Sequence, residues 1–285
     1  MNKILQRIFV FAAGLPLVVC VVIFMPWKNH LALNILVILV SSGGALEFNH
    51  ILKKKKLPLS VPEAAILGAL GPAAMTASVN FHTDAQLVPA LVITGAAWLL
   101  VSRVLSPADR LEQYTNRIAA GFSVMIYPGF FMIWLLRMVL FPRAEMVILV
   151  FLLTVLINDS LAWAAGILFG RGNRGIIPAS PNKSVAGFIG GLAASTGAGI
   201  AGVLLIPGVF VPDYLPALPS GAILGFLSGL AACLGDLCES CLKRSSDIKD
   251  SGFVMPGRGG ILDSIDSIAL AAPVFYAAYR ILFIP

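Results

Sequence analysis

Met146–Phe169 reads MVILVFLLTVLINDSLAWAAGILF, twenty-four residues with a single formal charge, Asp159. An α-helix rises about 1.5 Å per residue, so about 20 apolar residues cross the hydrocarbon core of a bilayer. The stretch therefore reads as a transmembrane helix. Its anomaly is Asn158-Asp159 near the middle. A carboxylate at that depth costs about 2.5–3.5 kcal/mol on insertion scales, and such residues face a cavity or a partner.

The same reading extends along the chain. Hydrophobic residues make up 58% of it and charged residues 12%, with a mean hydropathy of +0.91. A soluble domain averages about 45–50% apolar and about 25% charged. Nine runs of spanning length are expected: Ile4–Met25, Leu31–Leu52, Val61–Asn80, Gln86–Leu105, Ile118–Phe141, Met146–Phe169, Ser184–Ile206, Ser220–Cys238 and Ile261–Phe283. The expected fold is all-α, a polytopic integral membrane protein of about nine transmembrane helices. It forms one membrane domain over residues 1–285. About four N-terminal spans lie in 1–115, and about five, with the chemistry, in 116–285. Tyr127-Pro128-Gly129 inside the fifth run predicts a kink.

Basic residues set the orientation. With a cytoplasmic N-terminus, sixteen of the twenty lysines and arginines face the cytoplasm, among them Lys53–Lys56, Arg103, Arg117 and Lys183. The N-terminal run has no small-residue cleavage site after it and reads as an uncleaved first helix. The net charge of +6 points to a membrane surface and gives no reason to invoke nucleic acid. Cys238 and Cys241 form a lone C-x-x-C with no second pair and no nearby histidine, a weak signal for zinc or redox chemistry.

Charge gathers in one place. Gly235–Asp266, GDLCESCLKRSSDIKDSGFVMPGRGGILDSID, holds six of the fourteen acidic residues, interleaved with Lys243, Arg244, Lys249 and Arg258. Asp236 and Ser240 are four apart at a helix end, and Lys243 follows a turn later. Asp263 and Asp266 share a face at the next helix start, behind the flexible Pro256-Gly257-Arg258-Gly259-Gly260. Carboxylates from two helices suit a hard cation such as Mg²⁺, which takes one or two carboxylates plus phosphate oxygens. Ser180-Pro181-Asn182-Lys183-Ser184, before the seventh run, offers backbone N–H groups, hydroxyls and a lysine to a phosphate. By itself it reads equally as a helix cap.

Taken together, Gly235-Asp236, Ser240–Arg244, Lys249–Gly252 and Pro256–Asp266 closely resemble the signature of the phosphatidate cytidylyltransferases (CDP-diacylglycerol synthases). Asp159-Ser160 with Gly166 and Gly170 matches too, as does Ser180–Ser184 with Gly187, Gly190 and Gly191. The chain departs from the family pattern at Arg258 (His in the family), Ser264 (Arg), Ala186 (Glu), Arg171 (Lys) and Met255 (Leu, Ile or Phe).

The resemblance implies transfer of a cytidylyl group from CTP to phosphatidic acid, giving CDP-diacylglycerol and pyrophosphate, at the cytoplasmic face of the inner membrane. A phosphomonoester with a second pKa of about 6 is largely dianionic at neutral pH, so this nucleophile needs no general base. Alignment and charge neutralisation then carry the reaction.

On that reading Asp236 and Asp263 hold Mg²⁺, with Asp266 a further ligand or an orienter. Lys243, Arg244, Lys249 and Arg258 bind triphosphate. Ser180, Lys183, Ser240 and the Gly259-Gly260 backbone position phosphate groups, and Asp159 lines the polar cavity. Expected partners are CTP, phosphatidic acid and membrane lipids, and a homodimer is compatible with them. A CTP-dependent polyprenol or phytol kinase shares much of this chemistry but phosphorylates an alcohol. A transporter would place its site near the midplane between repeated halves.

Overall fold

The computed structural model describes residues 14, 16–56, 59–81, 83–84, 86–104, 113–252 and 259–284. The protein is all-α. Among the described residues the helices with assigned bounds are, in chain order, α1 (Trp27–Lys53), α2 (Val61–Phe81), α3 (Leu87–Val101), the interrupted α4 (Tyr114–Val124) and α5 (Phe131–Arg137), then α6 (Ala144–Leu168), α7 (Val185–Leu205), α8 (Ala217–Ser245) and α9 (Leu262–Phe283). Among the described residues, seven stretches are long and apolar enough to cross a membrane, α4 to α5 being one such stretch, Tyr114–Leu140. This is an integral membrane protein. α3 is apolar but has only 15 residues. Half of the first expected run, Ile4–Met25, lies outside the described residues, and 16–24 within it are helical.

Two boundaries differ informatively from the sequence reading. Lys28, Asn29 and His30 have φ of 45°, 49° and 57°, so regular α geometry begins at Leu31, where the apolar run begins. The eighth run was expected to end at Cys238, whereas α8 continues to Ser245. Hydropathy marks where a helix leaves apolar surroundings, but the backbone ladder continues through polar residues of good helix propensity such as Glu239, Lys243 and Arg244. The kink expected at Tyr127-Pro128-Gly129 is a π-helical turn, Met125–Phe130. Pro128 lacks an N–H, and the wider turn accommodates the missing bond.

The chain divides into two compact units. The first comprises Met1–Arg137 with Ser245–Ile265. In it α1 and α2 pack along small residues: Gly68 lies against Ala45 and the Ser41 carbonyl, and Gly129 against the Gly68 carbonyl. Lipid offers helices no hydrophobic drive to associate, so close backbone approach and dispersion hold such pairs. Phe48 and Tyr127 meet edge to face at 5.7 Å.

The second unit comprises Met138–Arg244 with Asp266–Pro285. α7 is its small-residue seam. Gly187, Gly190 and Gly191 face α6, and Gly199 abuts Gly221 and Gly225 of α8. At the far end Phe141, Phe210 and Phe283 surround Tyr279, whose hydroxyl donates to the Val209 carbonyl at 2.9 Å. Asn158 is fully buried. Its Nδ2 donates to Ser195 Oγ on α7 at 3.4 Å, and its Oδ1 accepts from Cys233 Sγ on α8 at 3.3 Å. One amide thus ties three helices, which accounts for a polar residue at that depth.

Candidate active site

The polar groups of the second unit gather at the end where α6, α8 and the loop before α7 meet. Ser184 is the N-cap of α7: its backbone is extended and its Oγ accepts from Gly187 N at 3.1 Å. That cap fixes the preceding Lys183. Lys183 Nζ reaches Asp236 Oδ2 on α8 at 2.5 Å, and Asp236 Oδ1 accepts from Ser240 Oγ at 3.5 Å, one turn on. Ser180 closes a turn in which its carbonyl accepts from Lys183 N at 3.1 Å. Arg244 Nε donates to the Ala179 carbonyl at 3.3 Å, so the last turn of α8 also grips this loop.

Carboxylates surround the pair. Gly235 lies against the Asp266 carbonyl, and its missing Cβ lets α8 and α9 approach closely. Asp266 is 9% exposed and lies within electrostatic reach of Asp236, Asp159 and Lys243. Its Oδ1 accepts from Ser267 N at 2.6 Å. Lys243 pairs with Glu239 one turn back on α8, and the Glu239 side chain is wholly buried. Five of the predicted residues, Asp159, Lys183, Asp236, Lys243 and Asp266, therefore share one electrostatic neighbourhood. Among the described residues no three His, Cys, Asp or Glu side chains enclose a metal ion.

In the first unit the loop after α8 is organised by two carboxylates. Asp263 Oδ2 accepts from Ser251 N at 3.0 Å, Ser251 Oγ at 2.8 Å and Gly260 N at 2.6 Å. Glu47, near the C-terminal end of the sequence-distant α1, accepts at Oε2 from Ser251 Oγ at 3.0 Å and Leu262 N at 2.9 Å. Leu262 N is one of the otherwise unbonded amides at the start of α9, so Glu47 acts as a long-range cap. A hydroxyl carries one proton, so Ser251 serves one carboxylate at a time.

Two glycines make this possible. Gly259 has φ +109°, in the region that favours glycine. A Cβ on Gly260 would collide with the Glu47 carboxylate and Ser251 Oγ. Lys249 is exposed on the same loop. Arg258 lies outside the described residues, as do Pro256 and Gly257.

Glu47 and Glu239 were missed in the sequence. A signal existed for each, since Glu47 is the lone acid in the run Leu31–Leu52 and an acid inside a span needs a partner. Nothing in the sequence, however, connects Glu47 to a loop two hundred residues away.

With this geometry in view, the comparisons with known proteins converge. A family model described as "Cytidylyltransferase family" matches residues 5–282. A protein of Thermotoga maritima named phosphatidate cytidylyltransferase is 33% identical over 208 residues, covering 71% of this chain and 72% of that protein. Proteins of the same name from Haemophilus influenzae and Bacillus subtilis are 32% identical over 171 residues and 38% over 120. Those alignments cover 60% and 42% of this chain, and 50% and 42% of the respective relatives.

Proposed function

This chain belongs to the cytidylyltransferase family, and from that premise we propose that it transfers the cytidylyl group of CTP to phosphatidic acid. A lipid phosphate oxygen attacks the α-phosphorus of CTP. The new P–O bond forms as the bond to the β-phosphate breaks, and CDP-diacylglycerol and pyrophosphate leave. The observation that carries this reading is the family match along nearly the whole chain. The Lys183–Asp236 cluster supplies the polar chemistry that such a reaction needs in so apolar a protein.

Within the second unit, Lys183, Lys243 and Arg244 neutralise phosphate charge, and Ser180 and Ser240 donate hydroxyls. Asp236 and Asp159 both act electrostatically on Asp266, and carboxylate oxygens suit a hard ion such as Mg²⁺. This ion commonly takes one or two carboxylates and completes its shell with phosphate oxygens and water, so an all-protein cage is not required. Asp236 and Asp266 would hold it. When bound, Mg²⁺ supplies charge compensation at phosphate oxygens.

Within the first unit the amides of Ser251 and Gly260 hold Asp263 Oδ2 to the loop, and we assign Asp263 a positioning role there. Lys249, Arg258 and the Gly259-Gly260 backbone are cationic and N–H donors of the kind that phosphate oxygens accept from. The bacterial relatives support a bacterial inner membrane, and the asymmetry of basic residues supports these loops on its cytoplasmic side.

The test incubates purified, detergent-solubilised protein with α-labelled CTP, phosphatidic acid and Mg²⁺. Label in the lipid fraction with stoichiometric pyrophosphate supports the reading. Lipid phosphate plus CDP from a prenol substrate would identify a kinase instead.

A further inference from the structure

The first unit contains a groove of about 630 Å³, within the size range of small-ligand sites, about 300–1,000 Å³. Its walls come from α2 (Ile66, Leu67, Leu70) and α3 (Thr94, Gly95, Trp98). Ile66 and Trp98 are both exposed, at 63% and 59%, so the groove opens on the apolar surface that lipid covers. Its polar lining is of another kind: Ser60, Glu63, Ser102, Arg103 and Arg117.

Arg117 is 5% exposed. It pairs with Glu63 and donates from Nη1 to the Leu99 carbonyl at 3.1 Å. Among the described residues its Nε is nonetheless buried without an acceptor, and so is Ser102 Oγ. Trp98 Nε1 donates to Glu63 at 3.3 Å. Among the described lining residues two arginines stand against one glutamate, an excess of positive charge, and two buried polar groups have no partner. Such groups are rare unless a ligand or water meets them.

We propose that this groove binds an anionic phospholipid, with an acyl chain along Ile66, Leu70 and Thr94 and its phosphate oxygens accepting from Arg117 Nε, Ser102 Oγ and Arg103. None of these residues belongs to either charged group described above, so the site is additional to the proposed reaction. Charge complementarity selects the headgroup, and the lateral opening selects a molecule that arrives from the bilayer.

Tryptophan quenching tests it. Replacing Trp27, Trp134 and Trp163 with Phe leaves Trp98 as the reporter. The protein is reconstituted in phosphatidylcholine vesicles containing graded fractions of dibrominated phosphatidylglycerol or dibrominated phosphatidylcholine. Trp98 is expected to be quenched at about fivefold lower mole fraction of the anionic lipid, the factor for one cation near a lipid surface. Arg103→Gln should bring the ratio to about one, and Arg103→Lys should keep it. Ser102→Asp, which sets a carboxylate at the groove end, should lower the ratio independently of Arg103. Equal quenching by the two lipids in the parent, or an anionic preference that survives Arg103→Gln and Ser102→Asp, overturns the proposal. Equal quenching by a brominated fatty acid and by the brominated phosphatidylglycerol overturns the phospholipid assignment.

Discussion

Lys183 Nζ lies 2.5 Å from Asp236 Oδ2, joining the residue before the α7 cap to the polar end of α8. Both side chains keep about a quarter to a third of their exposure, at 26% and 34%. An ion pair that accessible contributes at most about 1 kcal/mol to stability.

Lys183→Gln should leave the melting temperature in detergent nearly unchanged and lower kcat/KM about 100-fold, the scale for losing one positioned charge-stabilising donor. Lys183→Arg should recover part of it. A large loss of stability with unaltered specific activity of the folded fraction would place the lysine in the scaffold.

Asp236→Asn should shift the Mg²⁺ concentration needed for half-maximal activity upward, while Asp263→Asn should act mainly by loosening the loop that its Oδ2 holds. Titrating Mg²⁺ against both variants separates the two. Chelation with EDTA should abolish turnover and added Mg²⁺ restore it. An unaltered Mg²⁺ requirement in Asp236→Asn would remove that aspartate from the ion.

Glu47→Ala strips the acceptor from Leu262 N and one of two acceptors from Ser251 Oγ, which keeps Asp263 Oδ2. A buried donor left unsatisfied costs about 1–3 kcal/mol, so a fall in thermal stability of that order is expected. Glu47→Gln, which keeps an oxygen, should lose less. Scanning fluorimetry in detergent reads both.

Gly260→Ala places a Cβ into the Glu47 carboxylate and Ser251, and activity should fall by at least tenfold, about 1.4 kcal/mol. Gly197→Ala is the control, because a Cβ there meets nothing within 4 Å. Helix propensity should make that change neutral or stabilising by up to about 1 kcal/mol.

Glu63→Gln should destabilise by roughly 3–5 kcal/mol, because Arg117 would remain buried as an uncompensated charge. Glu63→Gln combined with Arg117→Met should recover much of the loss. A double variant as unstable as the single one would exclude the charge as the cause.

The span-forming helices were legible because each apolar run is long enough to answer a question of length and composition. The end of α8 was not, since hydropathy falls silent at Cys238 while backbone bonding continues to Ser245. That Asp236, Ser240 and Lys243 follow one another along α8 was legible from local helical spacing, whereas the approach of Asp266 from α9 depends on helix packing. Glu47 was not: its partners are 204 and 215 positions away, and that pairing exists only once α1 and the Ser251–Leu262 loop are packed. Asp263 marks the same boundary from the other side. Its spacing suggests a cation ligand, but where its oxygens go depends on the turn at Gly259, which spacing cannot describe.

The uninterrupted run of α8 past the apolar stretch sets a constraint on how this gene can change. Asp236, Glu239, Ser240 and Lys243 hang on one helical screw, where each residue advances the azimuth by about 100°. Substitutions between them leave the bearing of every group intact, whereas a one-residue insertion or deletion turns Lys243 away from Asp236 by more than a quarter circle. Length polymorphism should therefore be purged from this segment, and descendants of the sequence should diverge there by replacement alone.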